Sequence, residues 1–423
     1  MQFVSTRGRA APVSFRTALF DGLAPDGGLY VPLSLDPFPW DELRGAPVVE
    51  IAAGLAARFI GEEIPRPTLD RLLAAALNFP IPLVPLDEQV SIVELFHGPT
   101  FAFKDVGARV MARLMAHFHD DSTPLTVLVA TSGDTGSAVA QAFFGLAGTR
   151  VVVLFPEGRV SPVQEAQFAT LGGNVTALAV AGTFDDCQRL AKEAFGDSTL
   201  RRAARLTSAN SINIGRLLPQ MVYYASAALA ADEPIVCSVP SGNFGNLTAG
   251  LFAWRMGVSI HSFVAATTVN DTVPRYLDTG RYEPRRSVTT LANAMDVGDP
   301  SNVERMQWLF GGDVHAMGRI VGSSVHTDAD VRRAIGLLWE RYGYLCDPHS
   351  AIGYLGASSE TLPTGRPRVF LATAHPAKFR ETVEPVVGQA VPLPSGLAEA
   401  VARPRRVERI PPRIASVREL LLG

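Results

Sequence analysis

The chain has 423 residues, of which 47% are hydrophobic and 19% charged, a balance typical of a globular enzyme with two or three domains. Its formal net charge is -3 and its arginine pairs stand apart from aromatic side chains, which argues against a nucleic acid partner. The three cysteines are far apart, and no apolar run is long enough for a secretory signal or a membrane span, so we expect a cytoplasmic protein without a membrane partner.

The first segment, residues 1–90, is predicted to be a mainly helical extension. Residues 25–32 read as a turn followed by a short extended piece, and alanine and leucine predominate from about 48 to 78. Residues 79–85 carry three prolines, which is typical of a connector. The segment contains no combination of residues that suggests catalysis, so we interpret it as packed on the rest of the chain.

Residues 97–105, His-Gly-Pro-Thr-Phe-Ala-Phe-Lys-Asp, place Lys104 next to a predicted helix start. The positive end of a helix and partial burial among phenylalanines both favour a neutral amine. A neutral amine can form a Schiff base with an aldehyde cofactor and can serve as a general base. The alternative is an ordinary lysine whose stem packs on the phenylalanines while its head reaches water.

Beyond Lys104, short apolar runs alternate with helical patterns. Buried strands are predicted at 125–130, 151–155, 175–180, 235–239, 263–267 and 369–373. Helices are predicted between them, among others at 138–146 and 184–195. This alternation predicts an α/β fold with parallel sheets, in which ligands bind at the carboxyl ends of the strands. Three small polar loops follow such strands, at 131–137, 240–246 and 374–378, and are expected to converge on one site.

Residues 241–246, Ser-Gly-Asn-Phe-Gly-Asn, are a candidate phosphate site. Glycines allow the backbone to approach an anion, and the N–H groups at the start of the following helix can bind it. The loop lacks the patterns of nucleotide and dinucleotide sites, so a small monophosphate is the better interpretation. A tight structural turn is the alternative.

Two further loops suit anions. Hydroxyl and N–H groups at 131–136 can hold a carboxylate, and Asp134 there could cap the helix or take part in catalysis. Residues 210–216 combine two amides, a hydroxyl and Arg216, which suits a phosphate or carboxylate, although Asn-Ser is also common in turns.

Thr373 closes a buried strand, where its hydroxyl could bind a heterocyclic nitrogen or simply be a strand threonine. His97, His349 and His375 lack metal-ligand spacing, so we interpret them as structural or substrate-facing and predict no metal.

Taken together, the motifs resemble the pyridoxal-phosphate enzymes of the tryptophan-synthase-β fold group, and within it the longer bacterial and fungal class of threonine synthases. The resemblance extends over nearly the whole chain, since the motifs at 26–30, 97–105, 131–136, 240–246 and 373–378 occur in this order. It implies two parallel-sheet α/β lobes with the cofactor between them. The lobes are predicted at 91–225, with the Schiff-base lysine and the substrate carboxylate loop, and at 226–423, with the cofactor phosphate loop.

The resemblance also implies residue roles. Lys104 would form the Schiff base with pyridoxal 5'-phosphate, and the cofactor would further be bound by Ser241, Gly242, Asn243, Phe244, Gly245, Asn246, Thr373 and Asp134. The substrate carboxylate would be bound by Thr131, Ser132 and Thr135, and its phosphate by Asn210, Ser211 and Arg216. Relatives of the shorter class carry asparagine at the position of Asp134, near the 3'-oxygen of the cofactor.

The implied reaction converts O-phospho-L-homoserine and water to L-threonine and phosphate, with Lys104 as general base. A serine/threonine dehydratase is one alternative, although it would have no use for a second phosphate site. A phospho-lyase that gives 2-oxobutyrate is another, and only product analysis separates it. A non-catalytic paralogue would be expected to lack Lys104 or the glycine loop, and both are present.

Overall fold

Two mainly parallel β-sheets, with helices packed against them, form the body of the computed structural model, which describes residues 1–119, 124–360 and 362–422. The strands are β1 (Phe3–Ser5), β2 (Tyr30–Pro32), β3 (Leu83–Pro85), β4 (Val90–Glu94), β5 (Leu125–Ala130), β6 (Thr149–Pro156), β7 (Val175–Val180), β8 (Leu206–Ser208), β9 (Ile235–Pro240), β10 (Ile260–Thr267), β11 (Val321–Val325), β12 (Arg368–Ala372) and β13 (Val407–Ile410).

The helices lie between these strands and around the sheets. They are α1 (Phe15–Asp21), α2 (Val48–Ile60), α3 (Arg66–Ala76), α4 (Lys104–Phe118), α5 (Asp134–Phe143), α6 (Pro162–Ala169), α7 (Phe184–Gly196), α8 (Ser198–Ala203), α9 (Ile214–Leu217), α10 (Met221–Leu229), α11 (Gly245–Arg255), α12 (Thr272–Thr279), α13 (Val303–Leu309), α14 (Val314–Gly318), α15 (Asp328–Tyr342), α16 (Pro348–Ala357), α17 (Arg380–Val387), α18 (Ser395–Ala402) and α19 (Ile414–Leu422). Short 3-10 turns occur at Trp40–Leu43, Leu218–Gln220, Asn293–Met295 and Pro376–Phe379.

The first large sheet has the strand order β11-β10-β9-β12-β4-β3. Its neighbours are parallel except β3, which pairs antiparallel with β4. Strand β9 is buried along its whole length, as expected for a strand covered by helices on both faces.

The second large sheet is entirely parallel, with the order β13-β7-β6-β5-β8. Its edge strand β13 comes from the far end of the chain. The α/β fold with parallel sheets is therefore confirmed. The predicted boundaries at 90 and 225 remain predictions, and each sheet takes strands from separate parts of the sequence: β4 pairs with β12, and β13 with β7.

The N-terminal segment pairs β1 with β2 antiparallel and packs its helices on the main core. The helical stretch predicted from about 48 to 78 is two helices, because Gly61 follows α2 and Pro65 precedes α3. Within the described residues, no helix has both the length and the apolar character required to cross a membrane.

Candidate active site

The loops at the carboxyl ends of β5, β9 and β12 open into one cleft of about 2040 Å³. Every residue to which the sequence assigned a cofactor or substrate role lines this cleft: Lys104, Thr131, Ser132, Asp134, Thr135, Asn210, Ser211, Arg216, Ser241, Gly242, Asn243, Phe244, Gly245, Asn246 and Thr373. The expected convergence is therefore observed for the loops at 131–137 and 240–246, whereas of the third loop region only Thr373 lines the cleft and residues 374–378 do not.

Lys104 is the first residue of α4, and its side chain is only 12% exposed. Its Nζ lies 5.0 Å from the ring centroid of Phe103. Burial lowers the pKa of the Lys104 amine and outweighs the opposing charge of Asp134, while the cations of Lys378 and Arg216 lower it further. The surroundings thus favour the neutral amine, as the sequence indicated.

The loop before α11 has two features that suit an anion, a close backbone approach and an unpaired N–H donor. Phe244 adopts the left-handed conformation, with φ 59°, immediately before the helix begins at Gly245. A Cβ added at Gly242 would lie 2.7 Å from the Cα of Met295, so the backbone passes too close for any side chain. The Nδ2 of Asn246 is buried without a hydrogen-bond partner in the structure, although the Oδ1 of the same amide accepts two tyrosine hydroxyls. An unused N–H donor at a helix N-terminus suits a phosphate oxygen.

The loop at 210–216 contacts this phosphate loop directly. The Nδ2 of Asn243 donates to the Oγ of Ser211 over 2.5 Å. Arg216 is buried, and its Nη1 donates to the carbonyl of Ala209 over 2.7 Å while its Nε has no partner in the structure. Burial lowers the pKa of Arg216 to about 10, so the guanidinium stays charged at neutral pH. The cleft thus contains a buried guanidinium close to the loop before α11.

In the loop after β5, the hydroxyl of Thr131 forms hydrogen bonds within the loop. The Oγ1 of Thr131 accepts the N–H groups of Gly133 and Gly136 over 2.9 and 2.8 Å. Thr131 therefore shapes the turn, and partly exposed Ser132 and Thr135 present their side chains to the cleft.

Asp134 is the first residue of α5, but Gly133 occupies the N-cap position, so the capping alternative does not describe this aspartate. One carboxylate oxygen of Asp134, Oδ1, lies 2.6 Å from the Nζ of Lys378 and 2.8 Å from the Nε2 of Gln164. The other, Oδ2, lies 3.6 Å from the Nζ of Lys104. Burial would raise the pKa of Asp134, but the neighbouring Lys378, and to a smaller extent Lys104, hold it below its usual value, so the carboxylate is ionised.

Thr373 follows β12 and is hydrogen-bonded to the residue before Lys104. The N–H of Phe103 donates to the carbonyl of Thr373 over 2.8 Å. Its own N–H donates to the Oγ of Ser350 over 3.0 Å. That hydroxyl contacts the buried carboxylate of Asp347, which also lies 2.6 Å from the Nδ1 of His349. His349 lines the cleft, so of the three histidines discussed above it is positioned to face a substrate.

A buried guanidinium that the sequence did not single out supports the anion loops. Arg305 on α13 is 0% exposed and donates to the carbonyls of Tyr30, Ser211 and Ile212, with N···O distances between 2.6 and 3.3 Å. It also donates to Asn302 over 2.8 Å. In the sequence this arginine resembles any solvated helix residue, and no local signal reveals its contacts.

Lys378 is the second residue that the sequence missed. It lies in the quoted motif at 373–378, but its role depends on Asp134, far away in the sequence. The rarity of lysine in this chain, which has only three, is the signal that could have found it.

Comparisons with known proteins agree with this geometry. The sequence matches the family described as "Pyridoxal-phosphate dependent enzyme" over residues 77–373, "Threonine synthase N terminus" over 2–77 and "Threonine synthase, C-terminal" over 350–421. It is 44% identical to the threonine synthase of Serratia marcescens, covering 100% of this chain and 99% of the relative.

Two solved structures are also similar. The crystal structure of threonine synthase from Escherichia coli has a TM-score of 0.94 and 43% identity, covering 100% of this chain and 99% of that one. A pyridoxal-phosphate-bound threonine synthase from Brucella melitensis has a TM-score of 0.95 and 38% identity, with the same coverage.

Proposed function

The chain belongs to the threonine synthase family of pyridoxal-phosphate-dependent enzymes, and from this premise we propose how its residues carry out the reaction. The reaction converts O-phospho-L-homoserine and water to L-threonine and phosphate. The dehydratase and phospho-lyase alternatives are not favoured, because threonine synthases match the full chain at 39–44% identity.

The residues of the cleft fit pyridoxal 5'-phosphate. The unpaired Nδ2 of Asn246 and the closely approached backbone at Gly242 suit its phosphate. The Lys104 amine, with its lowered pKa, suits an aldehyde. Ser241, Asn243, Phe244 and Gly245 would complete the phosphate site, and the Thr373 hydroxyl would meet the ring nitrogen. When bound, the cofactor supplies an aldehyde for the lysine and a ring that accepts the electrons released at the substrate α-carbon.

The protein's own groups handle the substrate and its protons. We propose that Ser132, Thr135 and the backbone set by Thr131 bind the substrate carboxylate. Lys104 Nζ would take the proton from the substrate α-carbon and move a second one at the β-carbon.

The free Nε of buried Arg216 would bind the substrate phosphate, with Asn210 and Ser211 beside it. The observation that carries the proposal is the buried Arg216 with its unpaired Nε, because a phosphorylated substrate requires a second cationic group beside the one that binds the cofactor.

The test is Lys104→Ala. The purified wild-type protein should absorb in the visible range after loading with pyridoxal 5'-phosphate and should release phosphate and threonine in equal amounts from phosphohomoserine. Lys104→Ala should lose the lysine-linked absorption and at least about 100-fold of kcat. Arg333→Ala, which replaces an exposed cationic residue on α15 outside the cleft, is the control and should retain both. Turnover by Lys104→Ala at the wild-type rate, or 2-oxobutyrate as the product, would exclude the assignment.

We also propose that the enzyme works in the cytoplasm. Cys187, Cys237 and Cys346 are buried free thiols, which is compatible with a reducing compartment. Detection of the mature protein in a cell fraction other than the cytosol would contradict this.

A further inference from the structure

Lysine is rare in this chain. Of 38 lysine and arginine residues, only Lys104, Lys192 and Lys378 are lysines. Lys192 is exposed, whereas the amino groups of the other two are buried beside one carboxylate, that of Asp134. The other 35 cationic side chains of this set are arginines, so two of the three lysines of the chain lie beside the same carboxylate.

The two lysines do not share Asp134 equally. The side chain of Lys378 is 0% exposed, and its Nζ lies 2.6 Å from Oδ1 of Asp134 and 2.8 Å from the carbonyl oxygen of Thr100. Gln164 donates to the same Oδ1 over 2.8 Å. The distance from Oδ2 to the Nζ of Lys104 is 3.6 Å, which is beyond a normal hydrogen bond. One oxygen of Asp134 is therefore fully engaged, and the other only faces Lys104.

This division matters because a carboxylate paired with Lys104 alone would hold that lysine as an unreactive ammonium. An opposite charge within about 4–6 Å favours the charged form of an amine, and a like charge disfavours it. Lys378 acts in both ways, since it occupies Asp134 and adds a positive charge near Lys104.

The other charged groups of this region are arranged around the same lysines. Arg216 on α9 also faces Lys104. Asp105 and His375 interact electrostatically with Lys378. None of these groups replaces Lys378 as the partner of Asp134, because no ion pair other than those with Lys378 and Lys104 reaches Asp134 in the described part of the chain.

We propose that Lys378 is a positioning residue, whose buried ammonium occupies one oxygen of Asp134 and so leaves the Lys104 amine free to react with an aldehyde. The inference rests on the proposed function, in which Lys104 joins the cofactor. It assigns to Asp134 the role of a carboxylate balanced between two lysines.

The test measures the protonation of Lys104 directly in the full chain without cofactor. Protein that incorporates 13C-labelled lysine has three lysine side chains, so NMR of their Cε groups gives one pH titration for each. Lys378→Met should raise the pKa of Lys104 by about 1 or more, while the signal of Lys192 stays unchanged as an internal control. Lys378→Arg, which retains the charge, should leave the pKa of Lys104 close to the wild-type value.

Lys378→Met leaves the buried Asp134 with only Gln164 and Lys104 beside it, so Lys378→Gln provides a second, polar variant with the same expected rise. In an Asp134→Asn background, where no carboxylate remains to hold Lys104, loss of Lys378 should shift the pKa of Lys104 less. A pKa of Lys104 within about 0.3 of wild type in both Lys378 variants, or equal shifts in the two backgrounds, would overturn the inference.

A spectroscopic reading on the loaded enzyme complements this measurement. The visible absorption of the lysine-linked cofactor changes with pH, and the midpoint of this change should rise in Lys378→Met and stay near wild type in Lys378→Arg. An unchanged midpoint in Lys378→Met would count against the inference. A wild-type protein that shows no such absorption would contradict the proposed function, whereas the NMR titration tests Lys378 without any cofactor.

Discussion

Replacing Arg305 by methionine should weaken both the fold and the anion sites. Burial lowers the pKa of this guanidinium to about 9, so it is charged at pH 7. The methionine would leave the carbonyls of Tyr30, Ser211 and Ile212 without this donor. Each of these three carbonyls left without its hydrogen bond costs about 1–3 kcal/mol, and removal of a desolvated charge offsets a large part of that sum. We therefore expect a net loss of about 2–4 kcal/mol in the free energy of unfolding.

Urea denaturation followed by circular dichroism would measure this loss. Arg333→Met is the matched control, because the Arg333 side chain is 73% exposed and its replacement should change stability by less than about 0.5 kcal/mol. The KM for phosphohomoserine should also rise in Arg305→Met, since the Ser211 loop loses an anchor. A loss of stability below about 1 kcal/mol would refute the reasoning that Arg305 holds these segments together.

Two more predictions concern single positions. Gly242→Ala should weaken the binding of pyridoxal 5'-phosphate at least about 10-fold in equilibrium dialysis, because its Cβ would lie 2.7 Å from the Met295 backbone. Gly318→Ala, with open space around its Cβ, should bind normally, and equal affinities would contradict the steric argument. Burial raises the pKa of Asp105 from 3.8 to about 6. The folded protein therefore binds the Asp105 proton more tightly than the unfolded chain does. The contribution of Asp105 to the free energy of unfolding decreases as the pH rises from about 4 to 6. Asp105→Asn, which can still bond Thr100, should therefore lose less stability than wild type over that pH range, and identical pH profiles in urea denaturation would count against it.

The sequence predicted most of the strands and helix starts that position the candidate site. Apolar runs located β5 and β7 to the residue, and the Gly-Pro pair ahead of Lys104 located the start of α4. These features depend on residues that are close together in the sequence, so local patterns predict them. The helix after β5 begins at Asp134 rather than at 138, because the turn into the helix is made by Gly133, whose φ of 146° favours glycine.

What the sequence could not predict depends on contacts between distant segments. Nothing near Arg305 in the sequence indicates that its guanidinium binds the carbonyl of Tyr30. The pairing of Lys378 with Asp134 likewise joins two loops from different sheets. The sequence left the role of Asp134 open because its charge partner was not visible.

The late arrival of β13 has a consequence for how the protein reaches its fold in the cell. Strand β7 leaves the ribosome long before residues 407–410, and every strand of the other sheet from β9 onward is synthesised in between. Until then the β7 edge has unpaired N–H and C=O groups next to apolar side chains, a surface to which other nascent chains can attach. Completion of this sheet is thus postponed until translation is nearly finished, and chaperones that shield exposed strand edges would protect the enzyme during that interval.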